Sequence, residues 1–189
     1  MPTSPARPAV ITVVLTAALL VAAIAADQND PRLDGLFSDL DDTASRSEGI
    51  RITAQIWQLW LDAGDDGVQA HLDQGVAAMG AGDFDTALIE FDRVVELAPE
   101  FAEGWNKRAT LYYVMEEYEA SLADIGRTLT LEPRHFGAIA GRGLVNLQLG
   151  RPRAALQAFE EALKINPFLD DARMHVEALR AAGLGDQPI

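Results

Sequence analysis

Ala102–His135 reads AEGWNKRATLYYVMEEYEASLADIGRTLTLEPRH, and this stretch decides the fold because its pattern occurs three times in the chain. Its Pro133 has counterparts in Pro99 and Pro167, 34 residues before and after it. Cut at that period, the chain gives three units, Val68–Phe101, Ala102–His135 and Phe136–Leu169. A repeat of this length is the mark of stacked helix pairs. Inside each unit the apolar residues recur at helical spacing, as in Ala87, Leu88, Phe91, Val94 and Val95. The periodic prolines end each second helix, since proline lacks an amide hydrogen and biases the preceding residue away from helix. Between the two helices of a unit, Gly82-Asp83 supplies a turn and a cap, and Gly150-Arg151-Pro152 a turn and a proline suited to a first helical turn.

Size complementarity explains the residue types. Gly75, Ala109 and Gly143 on the first helices, with Ala87, Ser121 and Ala155 on the second, let paired backbones approach closely. Phe91, Ile125 and Phe159 fill the space beside them. Together with Trp105, Tyr112, Tyr118 and Pro133 of the middle unit, Gly82, Phe84, Val94 and Pro99 of the first, and Asn146, Gly150, Ala162 and Pro167 of the third, these positions resemble the signature of the tetratricopeptide repeat (TPR) family. The resemblance covers 102 of 189 residues. It implies an all-α fold, a right-handed superhelical solenoid of antiparallel helix pairs. Some positions depart from the pattern. His71 and Ile139 stand where a bulky aromatic is usual, and Arg108 and Arg142 replace a leucine, so their guanidinium heads are expected to reach carboxylates or helix ends. Gly137, Gly141 and Gly143 fall in one helix, each costing about 1 kcal/mol against alanine. That helix is expected to be soft, or to have another chain pressed against it.

The flanks divide further. Residues 26–67 form an amino-terminal helical region, in which Ile52, Ile56, Leu59 and Trp60 share one face. Stepping the repeat frame back places Phe37 and Leu40 on a first helix and Trp57 and Trp60 on a second, so a degenerate fourth repeat is one reading of it. Residues 170–182, with Ala172, Val176, Leu179 and Ala182 on one stripe, form a capping helix, and 183–189 a frayed tail. Residues 1–25 read as a secretory signal peptide, with Arg7 before an apolar run and Ala23-Ile24-Ala25 as small residues for cleavage. An uncleaved anchor, leaving a membrane tether through residues 9–26, is the alternative. Either places the repeats across the membrane, in the periplasm of a bacterial cell.

Charge and cysteine content exclude several classes. The formal net charge is −14, and residues 26–82 hold 11 acidic against 3 basic side chains. Nucleic acid and anionic lipid call for a basic face, whereas a basic partner would be steered toward this one. The chain has no cysteine, hence no disulfide and no lipid-modified amino terminus. His71, His135 and His175 are isolated and read as packing or surface residues, so no catalytic residue, metal or cofactor is expected. The Gly141-Arg142-Gly143 triplet lacks the preceding strand of a dinucleotide motif. Asp62, Asp66, Gly67 and Asp73 partly follow a calcium loop, but Gly64 takes a ligand position and Asp73 replaces the usual glutamate, so a solvated acidic turn is the reading.

Protein binding is what remains. The resemblance implies a concave groove lined by the first helices, and hence by Gln69, Leu72, Val76 and Met79, then Glu103, Asn106, Thr110 and Tyr113, then Ala140, Leu144 and Leu147. This surface is apolar at both ends with a polar middle, which suits an amphipathic segment. Chaperone-binding members of the family clamp a terminal carboxylate with lysine, asparagine and arginine. Here those positions hold Leu72, Val76, Lys107, Gly137 and Gly141, so the clamp is absent. The chain also resembles small signal-bearing TPR proteins of proteobacteria, a likeness of fold rather than role. The expectation is a non-catalytic adaptor of the cell envelope that holds a peptide or helix. An assembly factor or holdase of the cytochrome maturation type is the alternative.

Overall fold

The computed structural model describes residues 27–184, among which there are nine helices and no strand. They are α1 (Arg32–Asp42), α2 (Arg46–Trp60), α3 (Asp66–Gly80), α4 (Phe84–Leu97), α5 (Ala102–Val114), α6 (Tyr118–Leu131), α7 (Phe136–Gln148), α8 (Pro152–Ile165) and α9 (Asp170–Ala181). The pairs α3–α4, α5–α6 and α7–α8 are the three repeats, each stacked on the next, and α9 closes the pile against α8. The signal or anchor segment expected over residues 1–25 lies outside the described residues. Among the described residues no helix is long and apolar enough to cross a membrane.

Each hairpin turn is built the same way. Gly82, Glu116 and Gly150, 34 residues apart, all take positive φ (78°, 64° and 66°). In each, the next residue's N–H reaches back five residues, as in Asp83 N to Ala78 O at 2.9 Å and Glu117 N to Tyr112 O at 2.8 Å. This is the left-handed helix stop that glycine favours, and Glu116 adopts it with a side chain. Asp83 then caps α4 by accepting the Thr86 N–H at 3.2 Å, while Pro152 opens α8.

The repeat cores follow the small-against-large rule. A Cβ at Gly75 would lie 2.5 Å from Phe91 Cε1, and one at Gly143 2.6 Å from Phe159 Cε1. Neither ring would fit beside alanine. In the middle repeat, Ser121 Oγ donates to Ala109 O at 2.8 Å instead. Arg108 grips Asp124 through Nε and Nη2 and Asp92 through Nη1 (2.7, 2.9 and 2.7 Å), tying α4, α5 and α6 together. Arg142 reaches Glu161 at 2.7 Å. The guanidinium heads thus find carboxylates, as the substitution of leucine by arginine leads one to expect.

The amino-terminal hairpin does not continue the pile. Helix α2 makes no packing against α3 comparable to that between neighbouring repeats. On α3, Ala70, Gln74 and Ala77 are exposed, whereas their counterparts one and two periods on (Gly104, Arg108, Leu111; Ala138, Arg142, Val145) are buried or half-buried between repeats. The hairpin instead lies as a strap across the loops that join successive repeats. Gln28 brackets the first loop, accepting the Ala102 N–H at 3.0 Å and donating to Glu100 O. At the second loop Trp60 stacks on His135 (4.1 Å between centroids), Trp57 meets Phe136 edge-on at 5.6 Å, and Asp34 accepts from Arg134 at 2.8 Å. At the third, Thr53 Oγ1 accepts from Asn166 at 2.9 Å, Gly49 lies against Phe168, and Arg46 pairs with Asp170 at 2.8 Å. Leu33, Leu40, Ile52, Ile56, Trp60 and Phe136 form the core beneath it.

Candidate peptide-binding groove

The first helices of the repeats, α3, α5 and α7, and then α9 line the inner face, but they do not present equal surfaces. In the first repeat, Leu72 is 1% exposed inside the core and cannot meet a partner, which corrects the expectation for that residue. Its position faces the paired helix, and the core claims it with Phe91 and Val94. Gln69 turns inward locally, accepting the Ala63 N–H at 3.1 Å and donating to Asp73 at 2.9 Å. Met79 is half-buried on the same core, and Val76 stands 40% exposed.

The polar middle is also largely consumed, a second correction. Glu103 is 1% exposed and Asn106 8%. Asn106 Nδ2 donates to Glu103 Oε2 at 2.9 Å, Lys107 Nζ sits 2.9 Å from Oε1, and His135 Nε2 lies 2.9 Å from Oε2. Because His135 Nδ1 accepts the Ala138 N–H at 3.0 Å, capping α7, its hydrogen sits on Nε2 and is donated to Glu103. Burial raises the Glu103 carboxyl, yet the His135 bond and the Lys107 ammonium outweigh it and hold the group below the usual carboxylate range. The cluster therefore fixes α5, α7 and the strap to one another and offers nothing to a ligand. Sequence spacing showed Glu103 on the inner face but not that a histidine from the next connection would fold over it. Thr110 remains exposed, its hydroxyl donating to Asn106 O at 2.9 Å. Tyr113 is half-buried, with Gln148 Nε2 3.4 Å from its hydroxyl.

The other histidines have packing partners as well. His71 Nδ1 is 2.6 Å from Glu90 Oε2, and the His175 ring stacks on Phe159 at 4.7 Å. Among the described residues no three potential ligands converge as a metal site would require. In the acidic turn, Asp62 accepts the Gly64 N–H and Asp65 caps α3 through Gly67 and Val68.

What stays open is the third repeat. A hollow of about 70 Å³ lies between α5 and α7, lined by Thr110, Tyr113, Ile125, Gly137, Gly141 and Leu144. A larger groove of about 610 Å³ lies between α7 and α9, with Phe159 at its floor and Trp57, Ala140, Leu144, Phe168 and Met174 among its walls. Ala140 and Leu144 are half-buried there, while Leu147 is half-buried against the core of Ala155, Phe159 and Ala172 and lines neither hollow, so around Ala140 and Leu144 the expected surface is open to a partner. Trp57, Phe168, Met174 and His175 belong to this site too and were missed, since they come from the strap, from the α8–α9 connection and from α9 rather than from a first helix of a repeat. Two of the three glycines are explained: a Cβ at Gly137 would lie 2.6 Å from Trp57 Cη2, so the chain pressed against α7 there is the protein's own strap, and Gly143 makes room for Phe159, whereas no close contact requires glycine at Gly141.

The tetratricopeptide repeat family profile matches residues 61–102 and 106–170. A TPR repeat-containing protein of Rhizobium etli is 34% identical over 148 residues, covering 78% of this chain and 72% of the relative. Human serine/threonine-protein phosphatase 5 is 31% identical over 94 residues, 50% of this chain but 19% of the phosphatase. Among solved structures, MamA aligns with a TM-score of 0.58 at 19% identity, over 84% of this chain and 86% of that one. The first TPR of Spaghetti (RPAP3), bound to the HSP90 peptide SRMEEVD, aligns with a TM-score of 0.58 at 17% identity, over 61% and 91%.

Proposed function

Since this chain belongs to the tetratricopeptide repeat family, we propose that it is a non-catalytic adaptor of the cell envelope that holds a peptide or helix of another protein against its third repeat. TPR domains mediate protein–protein interactions, and that much comes with the family. The observation that supports a partner at this place is the contrast along the inner face. The polar middle is closed by Glu103, Asn106 and His135, while the apolar groove between α7 and α9 stays open. The RPAP3 relative takes an acidic peptide, but this chain places Leu72, Val76, Lys107, Gly137 and Gly141 where the carboxylate clamp is found in chaperone-binding members. The residues at the clamp positions therefore do not support a carboxyl-terminal chaperone peptide as the ligand. The apolar run before Asp27, with Arg7 at its amino side, supports the envelope location.

Photo-crosslinkers placed at Thr110 and Met174 in envelope extracts test the groove. Defined partners should be recovered, and Ala140→Trp, which fills the groove, should remove them. An unchanged set of partners refutes the reading. Cell fractionation with mass spectrometry of the amino terminus tests the location: an intact chain confined to the cytosol overturns it.

A further inference from the structure

We propose that the occupant of this groove is an amphipathic α-helix from another protein, carrying lysine or arginine along the flank that faces α9; the inference rests on the groove reading above. The shape argues for a helix. Gly137, Gly141 and Leu144 line both hollows, so α7 is a low ridge between them. At Gly141 a Cβ would meet only Ile125 Cδ1, in ordinary contact at 3.8 Å, so the ridge is not crowded there. Between Trp57, which covers Gly137, and Leu144, the small Ala140 and Gly141 let a second helix approach to about 8 Å between axes. From that position, side chains on its two sides drop into the hollows on either side of α7. An extended segment would alternate its side chains up and down and send half of them to solvent.

Charge then selects the flank. The walls include Ile125, Val145, Phe159 and Phe168, but no lysine or arginine lines either hollow. Asp170 and Asp171 stand at the α9 rim. Arg46 holds Asp170, whereas Asp171 has no ion-pair partner among the described residues. With a formal net charge of −14 behind it, this rim attracts a cationic flank and repels an anionic one.

The test uses the full chain and three fluorescent peptides of equal length. One is a helix former of leucine and alanine with lysines along one flank, the second replaces lysine by glutamate, and the third scrambles the first so that no apolar face forms. Fluorescence anisotropy should give binding of the lysine peptide about tenfold or more tighter than either of the others, weakening as salt rises. Asp171→Lys should remove the preference for lysine over glutamate. Ala140→Trp and, as a second and uncharged plug, Met174→Trp should each weaken the lysine peptide about tenfold, with circular dichroism unchanged. Failure of all three peptides to bind, equal affinity for lysine and glutamate, or binding indifferent to both plugs would overturn the proposal. So would binding that begins only when residues 1–26 are removed, which would make the chain's own segment the occupant. Envelope crosslinks that vanish in Ala140→Trp while the lysine and glutamate peptides bind alike leave the groove reading standing and remove only this one.

Discussion

At the residue scale, the buried Glu103 cluster is the position where sequence said least and structure most. An isolated histidine in a connection gives no sign of its partner, because that partner lies 32 residues away on another helix. Glu103→Ala would leave the His135 N–H, Asn106 and Lys107 facing an empty site, and should cost about 3–5 kcal/mol in urea unfolding. Glu103→Gln, which still accepts from His135, should cost clearly less. Two glycines of α7 provide an opposed pair. Gly137→Ala drives a methyl into Trp57 and should destabilise the fold and shift its tryptophan fluorescence. Gly141→Ala meets only ordinary contact and should stabilise by about 1 kcal/mol. Glu116 stands at the turn position that Gly82 and Gly150 fill in the other repeats, so Glu116→Gly should raise stability by about 0.5–1 kcal/mol through relief of its left-handed backbone. That last site was readable from the alignment of the repeats alone.

At the scale of elements, helix spacing located the six repeat helices and α9 closely, because each carries its own apolar stripe, turn and stop. The strap was harder. Its helical character shows in Ile52, Ile56, Leu59 and Trp60, but the same stripe fits a hairpin stacked on α3 and one laid across the loops. The discriminating signal sits on α3, where exposed Ala70, Gln74 and Ala77 replace the stacking residues of later repeats. Trp60 is the strap's principal anchor, 1% exposed and stacked on His135. Trp60→Ala should cost about 3–5 kcal/mol. Hydrogen exchange should then speed up at 135–138, where the α7 cap rests on the Trp60–His135 stack, more than in α3 and α4. Equal loss of protection throughout would mean that the strap and the repeats unfold as one unit.

At the scale of the whole molecule, charge governs the response to acid. The carboxyls of Glu103, Asp30, Asp83 and Asp170 are all held below their ordinary values. For Glu103 the cause is His135 and Lys107 against burial; for the others it is hydrogen bonds from Arg32, Thr86 and Arg46 respectively. A lowered folded-state value means stability that is fully present above the unfolded value, 4.5 for the glutamate and 3.8 for the aspartates, and lost as pH falls through the folded values. Urea midpoints should therefore stay level down to about pH 5 and then drop, and Glu103→Gln should flatten part of that drop. The sequence by itself determined the periodic architecture, since a repeat interface is a local contact whose small and large residues recur at a fixed spacing. It determined the acidic surface for the same reason, that composition needs no coordinates. Tertiary structure alone decided which part of the inner face is open. That depended on a strap meeting loops more than 70 residues away in the chain and on a buried histidine–carboxylate hydrogen bond closing over the polar middle. Contacts between segments so distant leave no periodic trace, because each is made once, by side chains whose partners are fixed only when the chain has folded.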